Sequence, residues 1–106
     1  MIRDIAAGEL PSLLERGAVV VDVREPDEYV EGHVPGAVNV PLATVPDNLD
    51  TFRRNVPVYV VCHSGGRSMR ACEFLVAQGI DTVINVAGGT SGYAALGNPV
   101  RPGNTP

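Results

Sequence analysis

Apolar residues in this chain come in short unbroken runs rather than in long periodic tracts. Val19-Val20-Val21-Asp22-Val23 is β-branched almost throughout and carries one charge near its end, and Val58-Tyr59-Val60-Val61-Cys62 repeats the design. A run without polar alternation predicts a strand covered on both faces, as in a parallel sheet. Shorter β-rich pieces at Ala37–Val40 and Thr82–Val86, with a first strand at Ile2–Ile5, bring the number to about five, a usual sheet size.

Between these runs the period lengthens. Leu10, Leu13 and Leu14 recur at helical spacing within Glu9–Glu15, Pro26–Val30 reads as a short turn, and Leu49–Arg54 as another helical piece. The longest helix is expected over Arg67–Gln78, where Met69, Cys72, Leu75 and Val76 form one apolar stripe and Gly79 supplies the stop. Strands alternating with helices predict an α/β layer fold on a mostly parallel sheet. After Leu96 the chain runs Gly-Asn-Pro-Val-Arg-Pro-Gly-Asn-Thr-Pro, which has too little apolar surface to pack and is expected to fray. One domain over residues 1–97 and a flexible tail over 98–106 follow, with no internal repeat.

Composition adds exclusions. At 106 residues there is room for one domain, and 44% hydrophobic residues supply one core. All eight basic residues are arginine against twelve acids, so the net charge of -4 provides no basic surface for nucleic acid. Asp4, Glu9 and Glu15 break up the start of the chain, which leaves no apolar run for a signal peptide or a membrane span. The expected setting is cytoplasmic, with no membrane partner. Cys62 and Cys72 make no disulfide framework and are expected as free thiols.

The chemistry concentrates where the most apolar strand ends. Cys62-His63-Ser64-Gly65-Gly66-Arg67-Ser68 leads from that strand directly into the longest helix. Ligands of open parallel sheets bind beyond the carboxyl ends of strands, so the Cys62 sulfur belongs at the functional edge. Two consecutive glycines let the backbone curl and aim successive N–H groups at one point, where an anion belongs. The helix start adds unpaired N–H groups and Arg67 adds a full positive charge. Together these are expected to lower the Cys62 pKa and make a nucleophilic thiolate available near neutral pH. The bland alternative is a structural cysteine closing a strand, and a glycine turn followed by a cation argues against it.

These residues resemble the rhodanese family of sulfurtransferases, from Ile5 to about Gly97. The resemblance is carried by Val20-Val21-Asp22-Val23-Arg24-Glu25-Pro26-Asp27-Glu28-Tyr29, by Gly32-His33-Val34-Pro35-Gly36-Ala37 with Asn39-Val40-Pro41, and by the cysteine loop. Ala87-Gly88-Gly89 followed by Tyr93 matches a C-terminal element, with tyrosine where family members commonly carry tryptophan. The resemblance implies a single rhodanese-like domain, its five-stranded sheet flanked by helices on both faces. It implies that Cys62 is the catalytic residue, taking the outer sulfur of thiosulfate or a related donor as a persulfide. That sulfur then passes to cyanide, to a thiol or to a sulfur-accepting protein. No metal or organic cofactor is implied, because the persulfide is itself the carrier.

Two competing readings remain open. A rhodanese-like binding or regulatory module would use the loop for docking with little turnover, against which stands the intact cysteine. A cysteine-dependent phosphatase or arsenate reductase is the other. Phosphatases of this kind place five residues between nucleophile and arginine, whereas here only His63, Ser64, Gly65 and Gly66 intervene. The shorter loop makes a smaller cradle, better suited to sulfur than to a phosphoryl group.

Around Cys62, the residues His63, Ser64, Gly65, Gly66, Arg67 and Ser68 are expected to form the substrate-binding loop. Arg67 is expected either to bind the sulfonate end of thiosulfate or to orient the loop through a carboxylate such as Asp22. His63 belongs on the rim, since neighbours on a tight loop point apart. Asp22 and Arg24 are expected to support the loop through hydrogen bonds, and Glu28 and His33 to fix the connection after their strand. Cys72 belongs to the core. Two cysteines ten apart and two isolated histidines give no zinc spacing.

Overall fold

In the computed structural model, which describes residues 2–106, five strands form one sheet in the order β1-β5-β4-β2-β3. The strands are β1 (Arg3–Ala6), β2 (Val19–Asp22), β3 (Val38–Asn39), β4 (Val58–Val61) and β5 (Val83–Ala87). Every pairing between them is parallel, which is why the longer runs carry no polar alternation. Met1, counted with the domain from sequence, lies outside the described residues.

Each strand sends alternate side chains to opposite faces, and each face has its own core. Val21, Val23, Val58, Val60 and Cys62 pack with Phe52 of α3 (Leu49–Phe52) and with Ala71, Cys72 and Leu75 of α4 (Gly66–Ala77). On the other face Val20, Tyr59, Val61 and Val86 pack with Leu10 of α1 (Leu10–Glu15), Tyr29 of α2 (Pro26–Glu31) and Tyr93 of α5 (Gly89–Ala95). The expected helices on both faces are therefore present, and Tyr93 is a core residue. Among the described residues no helix is long and apolar enough to cross a membrane.

Several local expectations shift. The turn after β2 is a helix of six residues, started by Pro26 at its first turn and by the Glu25 N–H donating to Glu28 Oε1 at 3.0 Å. The buried stripe of α4 runs through Ser68, Ala71, Cys72 and Leu75, leaving Met69 and Val76 half-buried at its border. Gly79, at φ +83°, ends that helix as expected.

A 3-10 stretch at Leu42–Asp47 and helix α5 have no counterpart in the sequence expectations. Gly89-Thr-Ser-Gly-Tyr-Ala-Ala is a poor helix former on its own, with two glycines in seven residues. It forms because small residues admit close packing: a Cβ on Gly92 would lie 3.3 Å from the Ala7 Cβ.

The segment after Leu96 does not hang free. His33 and Arg101 exchange backbone hydrogen bonds, and Gly103 N–H donates to the Val30 carbonyl at 2.8 Å. Val100 lies so close to Gly32 that a Cβ there would meet its Cγ2 at 2.8 Å. Low apolar content kept these residues exposed, but backbone pairing along the end of α2 holds them.

Candidate active site

The carboxyl ends of β2, β4 and β5 meet at one edge of the sheet, and Cys62 follows β4 there. Its Sγ accepts the Gly65 N–H at 3.1 Å and the Ser68 hydroxyl at 3.4 Å. Ser68, a polar residue on the buried stripe of α4, is explained by this contact. The residue that makes the turn is Gly65, at φ +113° and ψ −11°, directly before α4. Gly66 has no positive φ and open space around it, so the expectation that both glycines curl the backbone holds for Gly65 alone.

The first carbonyls of the loop are tied to α5. Thr90 N–H donates to the Cys62 carbonyl at 2.8 Å and Ser91 N–H to the His63 carbonyl at 2.9 Å. Such an approach requires glycine at 89, because a Cβ there would sit 2.5 Å from the Cys62 oxygen. Sequence reasoning did not assign this role to Gly89, Thr90 and Ser91, although the Gly88-Gly89 pair after a strand was its visible signal.

Burial pushes the Cys62 thiol upward. Hydrogen bonds from the Ser68 hydroxyl and from the N–H groups of Ser68, Gly65 and Ser64 outweigh it, leaving the pKa below the ordinary 9.0. The dipoles of the loop thus do most of what sequence had also assigned to Arg67. Burial and the charges of Asp4 and Glu73 push Cys72 up to about 12.

Both cysteines are nearly inaccessible, at 1% and 0% exposure, so access does not separate them as expected. Ionisation does. At neutral pH Cys62 therefore holds the larger thiolate fraction, an advantage partly offset by the lower nucleophilicity of a more acidic thiol. Iodoacetamide should alkylate Cys62 severalfold faster than Cys72 in the folded protein. Peptide mapping after timed alkylation reads this. Equal folded-state rates would contradict the activated-loop assignment.

Arg67 does not pair with Asp22. Its guanidinium makes a bidentate contact with Glu28, at 2.6 and 2.9 Å, across about one-third-exposed side chains. The Arg67 side-chain bond holds the Glu28 carboxyl down at about 2 despite burial. The pair therefore stabilises fully above the ordinary carboxyl pKa near 4.5 and loses its contribution as pH falls from there toward 2.

Asp22 and Arg24 form their own buried pair, with Nη2 on Oδ2 at 2.8 Å and the same nitrogen donating to the Gly32 carbonyl at 2.8 Å. They brace the end of β2 against the turn after α2, and no side-chain bond runs from them to the cysteine loop. His33 faces carbonyls with both ring nitrogens, Nδ1 to Tyr29 at 3.0 Å and Nε2 to Thr105 at 2.8 Å, and stacks on the Tyr29 ring. It fixes the connection, as expected.

His63 and Ser64 are exposed at the rim. Beside the loop lies a cleft of about 380 Å³ lined by Arg24, Glu28, Glu31, His63, Ser91 and Val100 among others. Among the described residues no group of His, Cys, Asp and Glu has the arrangement of a metal site.

Residues 6–96 match the family described as Rhodanese-like domain. The chain is 31% identical over 102 residues to a protein named Sulfurtransferase from Allochromatium vinosum, covering 94% of this chain and 95% of that one. It is 38% identical over 78 residues to thiosulfate sulfurtransferase GlpE of Pseudomonas entomophila, covering 74% and 72% respectively. A rhodanese-related protein from Thermoplasma volcanium shares the fold with a TM-score of 0.83 at 32% identity, over 92% of this chain and 96% of that one.

Proposed function

This chain belongs to the rhodanese-like domain family, and we propose that it is a sulfurtransferase whose sulfur carrier is Cys62. The observation that carries this reading is the Cys62 Sγ facing the Gly65 N–H and the Ser68 hydroxyl at the start of α4. Dipoles fixed in place stabilise a thiolate and its persulfide without rearranging as the reaction advances.

In the first half-reaction the thiolate attacks the outer sulfur of a donor such as thiosulfate. The Sγ–S bond forms as the donor S–S bond breaks, and its electron pair leaves on sulfite. In the second, an acceptor nucleophile, cyanide or a thiolate, attacks the terminal sulfur and restores the Cys62 thiolate. Charge balances in both halves with no oxidant, and the persulfide itself carries the sulfur. The name of the Pseudomonas relative supports thiosulfate as a donor. The four-residue spacing between Cys62 and Arg67 supports sulfur over phosphoryl transfer.

Intact-mass analysis after incubation with thiosulfate tests the reading. Wild type should gain the mass of one sulfur atom and Cys62→Ser none. An adduct that persists in Cys62→Ser, or that maps to Cys72, would overturn the assignment of the nucleophile.

A further inference from the structure

The end-on face of the Arg67 guanidinium, one of those that can grip a sulfonate through paired N–H groups, is already occupied. Nη1 and Nη2 donate to the two oxygens of Glu28, the planar geometry by which a guanidinium also takes sulfonates and other oxyanions. An anionic donor that uses this fork must therefore compete with Glu28 for the same N–H groups. A second bond restrains Glu28, whose Oε1 also accepts the Glu25 N–H in the first turn of α2. The other arginine lining the adjoining cleft, Arg24, has its Nε and Nη2 committed to Asp22 and to the Gly32 carbonyl. Glu31 stands in the same cleft, exposed and without an ion-pair partner among the described residues. With the two pairs counted as neutral, the mouth carries an uncompensated negative charge, which repels a dianion more than a monoanion.

We propose that Glu28 is a specificity-determining residue: by filling the Arg67 fork it turns the site from dianionic thiosulfate toward sulfane donors of lower charge, such as alkyl persulfides and thiosulfonates. The inference rests on the sulfurtransferase reading of Cys62 and leaves its chemistry unchanged. With each donor the Sγ–S bond forms, the donor S–S bond breaks, and the electron pair leaves on sulfite, on a sulfinate or on a thiolate.

Methanethiosulfonate separates charge from shape, because a methyl group replaces one thiosulfate oxygen and one negative charge is removed. The experiment measures kcat and KM for both donors, with cyanide as acceptor, in wild type, Glu28→Gln, and Glu28→Gln combined with Arg67→Ala. Glutamine keeps an acceptor for the Glu25 N–H while releasing the fork. In Glu28→Gln the thiosulfate KM should fall about tenfold or more at little-changed kcat. The methanethiosulfonate KM should fall less than about threefold, and the added Arg67→Ala should remove the gain. Glu28→Ala is a second variant with the same expected ordering, should the glutamine form fail to fold. An unchanged or raised thiosulfate KM in a folded variant overturns the proposal, as does an equal loss of kcat on both donors, which would assign Glu28 to holding the loop. Absence of turnover and of a sulfur adduct with both donors in wild type would instead sink the sulfurtransferase reading itself.

Discussion

Gly89→Ala should lower the melting temperature by roughly 10 °C or more and sharply reduce sulfur loading of Cys62. The backbone at 89 has φ +58°, and a Cβ there would stand 2.5 Å from the Cys62 oxygen and 2.6 Å from the His63 oxygen. The left-handed conformation costs alanine about 1 kcal/mol. Overlap with backbone cannot be relieved by rotating a side chain, and forcing the elements apart adds about 1–3 kcal/mol. In a domain of this size each kcal/mol moves the midpoint by roughly 4–8 °C. The movement also breaks the bonds from Thr90 and Ser91 that tie the loop carbonyls to α5. Gly17→Ala is the control, since Gly17 has φ +79° but nothing within 4 Å of the added Cβ, leaving only the conformational cost. Thermal unfolding by circular dichroism, followed by intact mass after thiosulfate, compares the two. If Gly89→Ala behaves like Gly17→Ala, the docking of α5 is not what shapes the loop.

Inserting one glycine between Gly65 and Gly66 should cut sulfur transfer by roughly a hundredfold. The sulfur contacts come from two sides of that point, the Gly65 N–H before it and the Ser68 hydroxyl after it, at 3.1 and 3.4 Å. A longer loop cannot keep both, and stabilisation of developing charge falls steeply when donors are displaced by about 1 Å. The insertion also gives five residues between Cys62 and Arg67, the phosphatase spacing, and shifts Arg67 relative to Glu28. Thiosulfate turnover at matched folded fraction measures the loss. Undiminished transfer in a well-folded variant would mean that loop length does not set the reaction class, and aryl-phosphate hydrolysis would then be the assay to run.

The pairing of Arg67 shows why a site is harder to read from sequence than a fold. Asp22 looked like a partner because it ends a strand on the same edge as Cys62, yet Arg24 two residues later takes both of its oxygens. Glu28 lies 39 residues before Arg67 and reaches it only because α2 starts beside the cysteine loop. Its sequence context suggested a local role in the connection, which it also has through the Glu25 N–H. One carboxylate thus serves a helix start and a distant guanidinium, and only the first is a short-range pattern.

Local pattern determined what depends on a residue and its near neighbours. The unbroken β-branched runs required strands buried on both faces, Gly79 ended α4, and a cysteine closing the central strand before a glycine turn placed a thiol at the carboxyl edge of the sheet. The parallel order β1-β5-β4-β2-β3, with a core on each face, satisfies what those runs demanded. Tertiary structure decided the rest. It made a helix of a glycine-rich segment by packing it on Ala7, held residues 101 and 103 by backbone bonds to the end of α2, and gave Arg67 to Glu28. Each of these contacts joins residues far apart in the chain whose own propensities are weak, so their free energy exists only once the sheet has brought them together.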